Sequence, residues 1–73
     1  MTNQRDSSDL LVPIENAILS AESEANFEEW LSADPKLPQN VRDRHRRRAE
    51  GARIYMDHLI RRRDAGETHE VMF

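Results

Sequence analysis

The stretch between Pro38 and Gly66 constrains this chain most. No proline interrupts it, and its one internal glycine is Gly51. Pro38 suits the opening of a helix, with Leu37 before it as a hydrophobic staple, and Gly66 suits a C-terminal stop. The reading is a helix running to about residue 64. At 1.5 Å per residue such a rod is about 40 Å long, more than the rest of the chain can cover. Val41, His45, Ala49, Ala52, Tyr55, Met56, Leu59 and Ile60 recur at three and four and form its inward stripe. Gly51 costs about 1 kcal/mol relative to alanine in mid-helix, so it is expected to mark a close contact.

The first half is read as shorter pieces. Residues 1–8 are polar and expected to form a disordered arm. Ile14, Ala17, Ile18 and Ala21 share one helical face, which predicts a helix over 13–22 with Pro13 in its first turn. Asn26-Phe27-Glu28-Glu29 has the form of a capping box and predicts a second helix over 27–33, ended by Asp34-Pro35, although one bent rod would fit as well. Phe27, Trp30 and Leu31 are assigned to the core. No alternation is long enough to build a sheet. The expected fold is all-α: two short N-terminal helices packed on one long basic helix, with flexible ends. The domain spans 9–66, and the tail 67–73 ends in Val71, Met72 and Phe73, which could dock on the core. At 73 residues the hydrophobic return barely exceeds the ordering entropy. Stability alone is therefore expected to be marginal.

Charge is sorted along the chain. Residues 1–35 hold eight acids and one arginine, residues 36–63 hold ten bases and three acids, and residues 64–73 hold three acids. The net charge of -3 hides this separation. Ten of the eleven cations are arginine, whose planar fork suits carboxylates and phosphates and desolvates more easily than lysine. Asp43–Arg47, Arg46–Glu50, Arg53–Asp57 and Asp57–Arg61 are spaced to pair along the helix, each for about 0.2–0.5 kcal/mol. Arg42, Arg44, Arg48, Arg62 and Arg63 lack such a partner, and His45 and Arg48 fall on or beside the apolar stripe. The candidate partner-binding residues are accordingly Arg42, Arg44, Arg46, Arg47, Arg48, Arg62 and Arg63.

Chemistry-bearing patterns are scarce. There is no cysteine, hence no disulfide, thiol nucleophile or zinc knuckle, and a reducing cytoplasm is the expected compartment. The N-terminus lacks the basic and apolar regions of a secretory signal. His45, His58 and His69 match no metal-ligand spacing, although Glu67, His69 and Glu70 could collect an ion. Two glycines cannot make a phosphate-cradling loop, and no serine sits in a nucleophile elbow. Neither an enzyme nor a cofactor is expected. The Asp34–Pro38 connection is too long and proline-rich for a helix-turn-helix, and His45 and Arg48 would spoil a basic-zipper seam.

The acidic first half, the LPQNVRDRHRRRAEGARIYMDHLIRRR helix and the length of 73 residues together resemble a family of small regulators. Lytic phages, Xanthomonas phages among them, make these regulators to commandeer host RNA polymerase. The resemblance implies a non-enzymatic protein of the host cytoplasm. It implies binding to the β′ subunit of bacterial RNA polymerase near the RNA exit channel, inhibition of host initiation, and antitermination with the elongation factor NusA. No motif carries contact residues across, so the site residues rest on the charge argument alone. That argument leaves acidic protein surface, nascent RNA phosphate and the chain's own acidic half open as partners. A nucleic-acid-binding repressor or antitoxin-like module and an oligomeric helical protein are the alternatives.

Overall fold

Two prolines set the architecture. In a computed structural model that describes residues 10–71, Pro13 (φ -54°, ψ 136°) and Pro38 (φ -58°, ψ 152°) hold the extended backbone from which each helix departs. The elements run β1 (Leu11–Pro13), α1 (Ile14–Ser32), α2 (Gln39–Asp64) and β2 (His69–Val71). The helices form an antiparallel hairpin, and the two short strands pair antiparallel across its open end in the register Leu11↔Val71, Val12↔Glu70 and Pro13↔His69.

This corrects the expected three-helix arrangement. Residues 13–22 and 27–33 are not two short helices but parts of the single α1. Asn26 is a mid-helix residue, not a cap. Ala21, Ala25 and Glu28 are buried along one line through the supposed break, so contact with α2 favours continuation where the local capping pattern favours a stop. Strand pairing, unforeseen from the sequence, ties residues 69–71 to residues 11–13. The expected arm at 1–8 and the docking of Met72 and Phe73 lie outside the described residues.

The seam between the helices is built largely of alanine. Ala17, Ala21 and Ala25 from α1 and Ala49 and Ala52 from α2 are buried, with Ile14 and Leu59 at the open end. Small side chains bring helix axes toward the short end of the 8–10 Å packing range. Leu59 is the one large side chain among the described residues to be fully buried, and it clusters with Ile14 and Ala17. At the other end of the seam His45 Nδ1 and Glu28 Oε2 lie 2.5 Å apart. His45 thus has a place on the inward stripe because α1 supplies its carboxylate.

The closing segment is held by backbone and side chains together. Gly66 (φ 100°) follows α2; its N–H donates to Arg63 O and that of Glu67 to Arg62 O, the two bonds of a Schellman ending that needs a left-handed residue. Thr68 O then accepts the N–H of Ile14 at 2.9 Å, satisfying a free donor at the start of α1. Arg62 grips Glu67 at 3.0 Å and Glu70 at 2.9 Å, and Tyr55 Oη donates to Glu70 at 2.7 Å. The Tyr55 hydroxyl and then the Arg62 guanidinium hold the Glu70 carboxyl below its ordinary value of 4.5. A depressed carboxyl contributes stability that is complete above the ordinary value and lost as pH falls through the lowered one. The melting temperature should therefore fall more steeply below pH 4.5 in the wild-type chain than in Glu70→Gln, which starts lower. Parallel slopes in thermal melts at pH 5, 4 and 3 would remove this clamp from the account.

Candidate interaction surface

Beyond the seam, α2 presents a second stripe. Arg44, Arg47, Arg48, Gly51, Ile54, Tyr55 and His58 recur at three and four, and every one is exposed. Arginines occupy its N-terminal half. Its C-terminal half is apolar and aromatic, with Ile54 72% exposed. A Cβ built on Gly51 meets nothing within 4 Å. The close contact expected there is thus not made within the described chain.

The structure divides the arginines into two groups. Arg53 reaches across the hairpin to Glu29 at 2.6 Å and Asn26 at 3.3 Å instead of pairing with Asp57 along its own helix. Its guanidinium lowers the Glu29 carboxyl, and its own pKa rises in return. Arg61 pairs with Asp57 at 2.9 Å, as its spacing predicts. Arg62 is enclosed by Glu67 and Glu70, and the resulting hydrogen bonds raise its pKa. Arg42 is half-buried and donates to Gln39 Oε1, while its Nε is buried without a partner. Arg46 and Arg63 make long contacts of 3.4 Å, to Asp43 and Asp64.

Arg44, Arg47 and Arg48 form the other group. Among the described residues their side chains make no hydrogen bond and no ion pair, and all three are exposed on adjoining positions. The expected Asp43–Arg47 and Arg46–Glu50 pairs do not form. Asp43 is engaged by Gln39 Nε2 at 2.8 Å and by Arg46. Three unpaired forks on one helical face can receive carboxylates in bidentate fashion. The exposed Glu50 and Asp57 on the same helix would oppose a continuous run of phosphates.

Other candidate chemistry is dispersed. Glu67 and Glu70 turn to Arg62 while the His69 ring meets the Thr68 hydroxyl, and among the described residues no group of three ligand side chains is placed to hold a metal ion. No helix among them is long and apolar enough to cross a membrane.

The outer side of α1 differs from the expectation. Phe27 and Trp30, assigned to the core, are 57% and 69% exposed, and only Leu31 of that trio is half-buried. A signal was present. Ile14, Ala17, Ala21, Ala25 and Glu28 already make one complete stripe, so Leu19, Phe27 and Trp30 had to fall on the opposite side. Comparison with known proteins returns no matching family model, no similar characterised protein and no similar solved structure.

Proposed function

We propose that the chain is a non-enzymatic transcription regulator of the lytic-phage type, acting in the host cytoplasm by binding bacterial RNA polymerase. One observation carries the reading: Arg53, Arg61 and Arg62 are engaged by carboxylates of the chain itself, whereas Arg44, Arg47 and Arg48 are left exposed and unengaged among the described residues. Electrostatic complementarity to an acidic surface would speed encounter and set orientation, and the neighbouring Ile54 and Tyr55 would supply desolvated contact. The target is the β′ subunit near the RNA exit channel. From that position one small adaptor hinders initiation by sigma-containing enzyme and, with NusA, favours read-through of terminators.

Protein is favoured over nucleic acid as the target because the stripe mixes arginine with apolar side chains and is bordered by carboxylates. Transcription with purified bacterial RNA polymerase tests the proposal. Adding the chain should lower promoter-dependent initiation and raise read-through at an intrinsic terminator, more so with NusA present. If neither changes while the isolated chain shifts duplex DNA at physiological salt, a nucleic-acid-binding module replaces the polymerase reading.

A further inference from the structure

We propose that the outer ridge of α1 is a second docking surface, for a basic amphipathic helix of a partner protein. Leu19, Phe27 and Trp30 lie on the side of α1 opposite its alanine seam and are 60%, 57% and 69% exposed. The Phe27 and Trp30 rings are stacked, with centroids 6.4 Å apart and planes inclined by 29°. Ser23 lies between Leu19 and Phe27 on the same exposed side and leaves the ridge uncharged along its crest. Large aromatic side chains in such positions are the usual anchors of protein interfaces.

The ridge is not a remnant of the hairpin's own packing. The seam on the other side is filled, and the molecule is only 13 Å thick along its shortest axis, so among the described residues no second layer folds over it. From Leu19 to Trp30 the crest runs about 16 Å, enough for three turns of a docked helix.

Charge identifies the occupant. α1 carries five glutamates and no base. Glu28 and Glu29 are engaged by His45 and Arg53, which leaves Glu15, Glu22 and Glu24 exposed beside the crest, although Glu22 is near enough to Arg53 to act on it and Arg63 lines one hollow with Glu15 and Leu19. An apolar centre with acidic borders is complementary to a helix that has leucine-like residues on one face and lysine or arginine along its margins. The same borders repel an anionic lipid surface. A second copy of the chain could offer the arginines of α2, but that contact is head-to-tail and propagates unless it closes into a ring. This ridge shares no residue with the arginine stripe and carries the opposite charge, so it stands or falls separately from the polymerase reading.

Trp30 is the only tryptophan, and its emission reports the site directly. The probe is an 18-residue amphipathic peptide of leucine and lysine, without tryptophan, titrated against the full chain. A saturable blue shift is expected, with affinity about tenfold weaker in both Leu19→Ser/Phe27→Ser and Glu22→Lys/Glu24→Lys, and not weakened in Arg44→Gln/Arg47→Gln/Arg48→Gln. Absence of a shift would overturn the proposal, as would equal binding of a leucine–glutamate peptide or unchanged affinity in both ridge variants. An equal shift with phosphatidylcholine vesicles would make the ridge a lipid contact. Blue emission without peptide, together with sedimentation above the monomer, would assign it to a second copy. Either of those two results would overturn the proposal as well.

Discussion

Leu59→Ala is expected to be the most damaging single truncation in this protein. Its side chain is fully buried against Ile14 and Ala17, with Val12 and Ile18 packed on the same cluster, and the remainder of the buried set is mainly alanine, so few large side chains are at hand to close the space. Removing a buried leucine costs about 2–5 kcal/mol, with the higher values where the site cannot collapse. A chain of this length has about 4–10 kcal/mol of stability in total if it follows the usual range per residue. A loss of about 3 kcal/mol would lower the melting temperature by roughly 12–24 °C. Thermal melts followed by circular dichroism should show this, with Leu19→Ala, on the exposed ridge, changing stability by less than about 0.5 kcal/mol. Equal melting temperatures for Leu59→Ala and the wild-type chain would place the core elsewhere.

Reversing charge at Arg44, Arg47 and Arg48 should do the opposite: leave the fold in place and remove the function. None of the three has an engagement to lose among the described residues. Glutamate matches arginine in helix propensity, so the melting temperature should move by only a few degrees. New like-charge spacings with Asp43 and Glu50 work against this by a few tenths of a kcal/mol each. At a partner surface the change is much larger, because each attraction becomes a repulsion. A combined penalty of about 3 kcal/mol corresponds to a loss of about 100-fold in affinity. The proposed inhibition of initiation and the proposed terminator read-through should disappear together. Loss of helicity in the variant would instead make these arginines part of the fold.

The contrast between the two helices explains how much of the structure the sequence disclosed. α2 was legible because its limits are chemical: Pro38 at one end and a left-handed glycine, Gly66, at the other, with an inward stripe that recurs at three and four, although Tyr55, expected on that stripe, lies on the exposed one. The start of α1 after Pro13 was equally clear. Its continuity was not, since Asn26 and Glu29 spell a cap locally but are used across the hairpin, as partners of Arg53. Only tertiary contact decides between those uses. β1 and β2 are three residues each, too short for alternation to show, and their register depends on where the helices place the two ends. For the arginines, composition revealed an excess of cation but could not say which forks the chain would occupy. Arg62 looked free because its partners, Glu67 and Glu70, lie beyond the helix end.

A binding titration with purified bacterial core RNA polymerase addresses the surplus guanidinium most directly. The wild-type chain and Arg44→Glu/Arg47→Glu/Arg48→Glu are compared at several salt concentrations, with helicity recorded for each. The expected result is saturable, salt-sensitive binding by the wild type and affinity at least about 100-fold weaker in the variant at equal helicity. Equal affinity of the two proteins for the polymerase would contradict the account.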